Sequence, residues 1–180
     1  MFARTQRLLL RPVWPEDAEA LFAGINDERI VCNLARAPWP YSAEHAREFA
    51  ARAQDPFYPH YLLTLPGDAG QTLIGSCGLG RTDAGEAELG YWIARNHWGQ
   101  GYATEAARAV IANAWTLGHR RIVASHYIDN PASGAVLRRL GFTPTGTTRP
   151  RFSLGRGYEA MAQEYALESD MAEAERPLAA

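Results

Sequence analysis

Ala103, Ala106, Ala107, Val110, Ile111, Ala114 and Leu117 recur at helical spacing, so residues 103 to 117 are predicted to form a helix with one apolar face. Gly118 ends it. Strand-like stretches border this helix, Ala87 to Ala94 before it and Ile122 to Tyr127 after it. A helix of this kind set between strands restricts the chain to a sheet with helices packed on it.

The remaining elements fit that frame. Leu8 to Leu10, before Pro12, reads as a first strand. After Trp14-Pro15, the spacing of Ala18, Leu21, Phe22 and Ile25 predicts a helix with Pro15 in its first turn. Ser42 is placed to cap a second helix burying Ala46, Phe49, Ala50 and Ala53. Strands follow at Tyr61 to Leu65, Gln71 to Gly80 and Ala87 to Ala94, with turns at Pro66–Gly70 and around Asp83–Gly85. Asn130-Pro131 opens a short helix carrying Val136, Leu137 and Leu140 and stopped by Gly141. Two last strands are expected at Thr143 to Thr148 and Gly157 to Leu167. There is no internal repeat and no linker, so residues 1–168 read as a single α+β domain with a mixed sheet and 169–180 as a flexible, Ala- and Glu-rich tail.

With 47% hydrophobic and 21% charged residues, the chain is composed like an ordinary globular protein. A net charge of −2 gives no basic field for nucleic acid. The N-terminal apolar run of three leucines is too short for a signal peptide or a membrane span, so a cytoplasmic protein with no membrane partner is expected. Cys32 and Cys77 are far apart and read as reduced thiols, and no metal site is expected.

The segment Trp98-Gly99-Gln100-Gly101-Tyr102-Ala103-Thr104-Glu105-Ala106 leaves a strand and enters the best helix. Glycine lets the backbone approach a ligand, and the first amides of a helix have no intrahelical acceptor, which together suit a phosphate or pyrophosphate. The segment lacks the Lys-Ser/Thr ending of a P-loop and is not Gly-x-Gly-x-x-Gly.

Glu88-Leu89-Gly90-Tyr91-Trp92-Ile93 precedes this loop, and Asn130-Pro131-Ala132-Ser133 through Leu140-Gly141-Phe142 follows it. The series, in that order and over roughly residues 5 to 167, resembles the GNAT superfamily of N-acetyltransferases and its Rim-type branch, which acts on ribosomal-protein N-termini. Gly101 and Ala103 match the family's Gln/Arg-x-x-Gly-x-Gly/Ala signature, whereas Trp98 stands where Gln or Arg is more general. The resemblance implies a GNAT acyl-CoA N-acyltransferase fold, with a central, mostly antiparallel, splayed sheet flanked by helices. It also implies acetyl-CoA as acetyl donor. Backbone amides of Gly99, Gln100, Gly101, Tyr102, Ala103 and Thr104 would hold its pyrophosphate, Tyr91, Trp92 and Ile93 would pair with its pantetheine arm, and Asn130 and Ser133 would lie near the thioester. Asn130 also reads as a helix N-cap, and both roles are compatible.

Direct attack of an amine on a thioester needs a neutral amine, stabilisation of an oxyanion and a proton for the departing thiolate. Many members of the superfamily place a tyrosine acid seven residues after the asparagine, where this chain has Leu137. Rim-type relatives use the serine three residues after it, which makes Ser133 the expected donor. Glu88 is the candidate base by position, with Glu86 nearer the turn and His126 on a strand only one side of which can face a cleft. An α-amine, with a pKa of about 7.7 to 8.0, is roughly a quarter neutral at cytosolic pH and needs little base, whereas a lysine amine is only about 0.1% neutral.

Acceptor recognition in the superfamily belongs to the first helices and their loop, here holding Arg36, Trp39 and Tyr41, with Tyr58 and Tyr61 further on. The same aromatic residues also suit sealing the helices against the sheet. A protein N-terminal α-amine is the leading acceptor. A polyamine, amino acid or antibiotic is the alternative, and a CoA-sensing module without turnover is a third class. The sequence leaves monomer and homodimer open.

Overall fold

The computed structural model describes residues 1–67 and 70–169. Its strands are β1 (Ala3–Arg4), β2 (Leu9–Pro12), β3 (His60–Gly67), β4 (Gly70–Arg81), β5 (Ala87–Ile93), β6 (Arg121–Tyr127), β7 (Thr143–Ser153) and β8 (Tyr158–Glu168). They form one eight-stranded sheet in the order β1-β2-β3-β4-β5-β6-β8-β7. Neighbours are antiparallel except β5 and β6, which run parallel and are joined only at Ala87–Ile122 and Glu88–Val123. Beyond Glu88 the two strands separate.

Helices cover both faces. On one face, α1 (Ala18–Ile25), α2 (Glu28–Val31) and α3 (Ala43–Ala50) bury Leu21, Ile25, Ile30, Val31, Ala46 and Ala50 against Leu62 and Trp92. On the other, α4 (Tyr102–Thr116) and α5 (Pro131–Arg139) pack against the sheet, α4 through Ala106, Ala107, Val110, Ile111 and Ala114. The small side chains of α4 allow close approach to Leu79, Leu89 and Ile122 beneath them. Alternation along each strand assigns its residues to one face or the other. Glu88, Gly90 and Trp92 face the α1–α3 side, and Leu89, Tyr91 and Ile93 face α4 and α5.

Several boundaries differ from the sequence expectation. The four-residue α2 is additional; it is too short to show a period, and Asp27 Oδ1 caps it by accepting from Arg29 N at 2.9 Å. The first strand begins one residue later than expected and is joined by the two-residue β1. Strand β7 runs past Thr148 to Ser153 despite Pro144 and Pro150, because it is the outermost strand and its ladder to β8 shifts register between Pro144 and Thr148. Helix α3 begins on the expected Ser42 cap, whose Oγ accepts from His45 N at 3.2 Å, but ends at Ala50, leaving Ala53 exposed. Within the predicted turn Pro66–Gly70, Asp68 and Ala69 lie outside the described residues, as does the predicted tail apart from Ser169. No helix among the described residues is long and apolar enough to cross a membrane.

The α1–α3 layer is tied to the sheet by one buried ion pair. Arg11 on β2 donates to both oxygens of Asp17, at 2.7 and 2.5 Å, and Asp17 also accepts from Trp14 N at 2.8 Å. Burial alone would raise the Asp17 carboxyl, but the bonds from Arg11 and Trp14 outweigh it and hold it below the ordinary carboxylate value. Replacing Asp17 with Asn strands the guanidinium and should cost about 3 kcal/mol near pH 7. A carboxyl depressed in the native state stabilises above its unfolded value and stops doing so as pH falls through the native one. The gap between wild type and variant in urea unfolding should therefore shrink below pH about 4. A gap unchanged from pH 7 to pH 2 would contradict the charge pairing.

Candidate active site

The separation of β5 from β6 opens a cavity of about 690 Å³ that reaches both faces of the sheet. From the α1–α3 side it is lined by Tyr41, His60, Glu88, Gly90 and Arg151, and through the gap it meets Tyr91, Asn130 and Ser133.

At the end of β5 the chain turns through Trp98–Gly101 into α4. Gly99 and Gly101 have φ of 73° and 82°, which favour glycine strongly, and Gly101 is the N-cap of α4. No side chain among the described residues caps the helix, so its first amides remain free to donate. A side chain added at Gly99 would meet no atom within 4 Å, so the loop surface is open to a ligand. Free amides at the positive end of a fifteen-residue helix fit the pyrophosphate implied by the sequence.

Two distant groups fix this loop. Trp98 Nε1 donates to Ile93 O at 2.6 Å, which gives the tryptophan a structural part in the position where the family more often has Gln or Arg. Arg7 donates from its backbone N and from Nε to Glu105, at 2.8 and 2.7 Å, and from Nη1 to Gln100 O at 3.0 Å, while its guanidinium lies 4.3 Å from the Tyr102 ring centre. Thr5 Oγ1 adds a bond to Glu105 at 2.6 Å. Burial acts to raise the Glu105 carboxyl, but the Thr5 and Arg7 bonds together lower it below its ordinary value. Nothing near position 7 in the sequence marks it as a loop anchor.

Asn130 caps α5, its Oδ1 accepting from Ser133 N at 3.4 Å. Ser133 Oγ lies 2.8 Å from Tyr91 Oη, which also bonds Ser133 O at 3.2 Å. Burial pushes the Tyr91 phenol up to about 12, more than the Ser133 bond lowers it, so it is a neutral O–H at any ordinary pH. Tyr91 was expected only as part of the pantetheine strand; its hydroxyl contact with Ser133 joins elements 42 residues apart. Leu137, where the family's usual tyrosine is absent, is 1% exposed in the apolar core.

Glu88 faces the opposite side. Arg151 from β7 binds both of its oxygens, Nη1 to Oε1 and Nη2 to Oε2, the latter at 2.9 Å, and Nη1 also donates to Ser125 Oγ. Glu86 pairs with Arg121 at 3.1 Å on the exposed edge. His126 faces α5: Nδ1 donates to Tyr127 O at 2.8 Å, and Nε2 is buried against Gly134 without a hydrogen-bond partner among the described residues. Of the expected acceptor residues, Arg36 and Tyr41 line the main cavity, and Arg36 Nη2 makes a long 3.4 Å bond to Arg81 O. Trp39 packs beside the α1–α3 core and lines a separate cleft with Cys32 and Arg156. Tyr58 reaches the cavity, whereas Tyr61 is buried in the core on the α4 side.

Residues 7–143 match the family model described as an acetyltransferase (GNAT) domain. The chain is 32% identical over 157 residues to the uncharacterized N-acetyltransferase p20 of Bacillus licheniformis, covering 81% of this chain and 84% of that protein. It is 36% identical over 74 residues to the ribosomal-protein-serine acetyltransferase of Escherichia coli (strain K12), 41% of each chain. Its fold is shared with RimL, a ribosomal L7/L12 α-N-protein acetyltransferase solved with coenzyme A, at a TM-score of 0.77 and 23% identity over 94% of this chain and 99% of that one. The chain belongs to the GNAT acetyltransferase family. It is an acetyl-CoA-dependent N-acetyltransferase related to the Rim-type branch.

The contact between Gly134 and His126 makes the position of Ser133 sensitive to one methyl group. A Cβ at Gly134 would fall 2.5 Å from His126 Nε2. Gly134→Ala should cost about 1 to 3 kcal/mol by overpacking and lower turnover by moving the start of α5. Adding His126→Ala should restore both, read by thermal unfolding and thiol release. A double variant no better than the single one would show that the helix is not displaced by this clash.

Proposed function

We propose that this enzyme acetylates the α-amine of a peptide or protein N-terminus, as a cytoplasmic catalyst contained in residues 1–168. The observation that carries the reading is the state of Glu88. The carboxylate at the gap is held through both oxygens by Arg151, so neither oxygen stands free to receive a proton from a lysine-like ammonium. An α-amine has a substantial neutral fraction and needs mainly positioning. The Escherichia coli relative is a ribosomal-protein-serine acetyltransferase and RimL a ribosomal L7/L12 α-N-protein acetyltransferase, which points the same way.

Acetyl-CoA supplies the acyl group as a thioester. Amides from Gly99 to Thr104 would hold its pyrophosphate, Tyr91 to Ile93 the pantetheine arm and Asn130 the region near the thioester. Ser133 Oγ passes a proton to the departing sulfur and recovers one from water, and Tyr91 Oη, neutral, holds the residue by donating to Ser133 O at 3.2 Å and lying 2.8 Å from Ser133 Oγ. Glu88 acts as a fixed charge with Arg151 on the acceptor side, and the amine proton leaves through water. Arg36 and Tyr41 at the cavity wall meet the acceptor, with Trp39 supporting their loop.

The purified enzyme should release thiol from acetyl-CoA with peptides bearing a free N-terminus and not with Nα-blocked, lysine-containing peptides. Turnover only on polyamines, amino acids or aminoglycosides would replace the reading with a small-molecule one, and tight acetyl-CoA binding without turnover would favour a sensor. Ser133→Ala should lower kcat by about a hundredfold with acetyl-CoA affinity unchanged; an unaltered rate would remove Ser133 from the mechanism.

The pH profile follows from the same groups. The rate should rise as the α-amine deprotonates near pH 8 and then stay level to pH about 10, because Tyr91 is raised to about 12 and keeps its proton. A descending limb near pH 9 that Tyr91→Phe abolishes would contradict that assignment.

A further inference from the structure

On the acceptor side of the sheet one imidazole has no part in the scheme above. His60, at the start of β3, is paired with Gly78 on β4, which is paired with Gly90 on β5. Paired residues share a face, so this row crosses three strands with a single side chain. At about 4.8 Å per strand, it spans roughly 10 Å from His60 to the edge of the gap. The imidazole leans along it: a Cβ at Gly78 would fall 2.6 Å from His60 Nδ1. A Cβ at Gly90 would meet nothing within 4 Å, so the far end of the row is bare backbone beneath the open cavity.

The tautomer follows from Ser76. Its Oγ donates to Tyr61 O at 2.9 Å, which uses its only proton, and it lies 2.5 Å from His60 Nε2. Nε2 is therefore the donor to Ser76, and Nδ1 keeps a bare lone pair. The Phe49 ring packs edge-on at 5.3 Å, and the Arg52 charge acts on the imidazole. Burial first, then the Arg52 charge, lowers the imidazole to about 4, so at neutral pH it is an uncharged acceptor and too weak a base to deprotonate an amine of pKa about 8.

We infer that His60 is an acceptor-binding residue whose Nδ1 receives the first peptide N–H of the acceptor, that of its second residue, seating the amino-terminal residue over Gly90 with its amine at the gap. A lone pair with no accompanying proton selects N–H donors and disfavours carboxylates. The room lies over Gly90, because the imidazole itself fills the space over Gly78. The inference rests on the α-amine reading and names the group that recognises such an acceptor.

His60→Phe keeps the ring's shape, and Ser76 stays satisfied by Tyr61 O. With a peptide bearing a free N-terminal serine, kcat/KM for the peptide should fall about five- to tenfold, mainly through KM. The KM for acetyl-CoA and the unfolding temperature should stay at wild-type values. His60→Gln, which keeps an acceptor oxygen, should recover part of the loss. Gly90→Ala, a methyl placed in open space, should weaken peptide use without unfolding the protein. Wild-type kcat/KM in His60→Phe, or an equal loss in acetyl-CoA affinity and stability, would overturn the inference. Nitrogen-15 NMR of the imidazole is independent of any acceptor: protonation at Nε2 supports the assignment and protonation at Nδ1 overturns it. If wild-type enzyme ignores every α-amine peptide while the imidazole shows the Nε2–H form, the α-amine reading fails, and His60→Phe is then measured against the amine that is used, with a wild-type KM there overturning the role of His60.

Discussion

The two-residue parallel contact between β5 and β6 governs everything else at the site. A strand that leaves its neighbour after Ala87–Ile122 and Glu88–Val123 exposes backbone donors and acceptors inside a sheet, where they must find partners. Part of that demand is met from within, since Ile93 O takes the Trp98 indole. Among the described residues no strand pairs with that edge of β5 beyond Glu88, which suits an extended ligand with amides of its own, such as the pantetheine arm in the proposed scheme. The opening is also what lets one cavity touch both faces of the sheet.

Keeping the strands apart requires struts, and each face has one. On the α1–α3 face, Arg151 reaches from β7 across the end of the gap to Glu88 and Ser125, so β5, β6 and β7 are fixed relative to one another. On the α4–α5 face, Tyr91 holds Ser133 and with it the first turn of α5. A guanidinium bound to two carboxylate oxygens is a rigid, oriented connection. The same device recurs where Arg11 grips both oxygens of Asp17 beneath the α1–α3 layer, and beneath the loop that enters α4 the Arg7 guanidinium grips one oxygen of Glu105 while its backbone N and Thr5 take the other. These pairs set geometry where strand pairing has been given up.

This division explains which parts could be read from the sequence. Helix α4 was placed within a residue of its ends because fifteen residues carry a complete period, and the loop before it is a local pattern of glycine followed by free amides. The Asn130 and Ser42 caps are local in the same way. The struts are not. Arg7 and Glu105 are 98 residues apart and Arg151 and Glu88 are 63 apart, and no spacing rule joins a β-hairpin arginine to a central carboxylate. Position alone therefore made Glu88 resemble a free base. Only the fold reveals that its oxygens are taken. His60 escaped notice for a related reason: its setting depends on the register that lines it up with Gly78 and Gly90, and register is a property of three strands at once.

The two faces carry opposite chemical requirements, and the side chains are sorted accordingly. In the proposed scheme the group next to the departing sulfur must hold a proton and give it up late; a serine held by a phenol that stays neutral would meet that need without adding charge. At position 137 a tyrosine would have to occupy the buried site that Leu137 fills against the core, and the donor we propose lies one helical turn earlier, on the residue that Asn130 already positions. On the acceptor face the requirement is to present a lone pair with no proton attached and no basicity that would trap an ammonium. A neutral imidazole satisfies it, and both oxygens of Glu88 are already engaged by Arg151. Such a site leaves the amine to lose its proton to water, and that route is open at neutral pH to an α-amine far more than to a lysine. Selectivity between the two would then follow from what the acceptor face withholds as much as from what it binds.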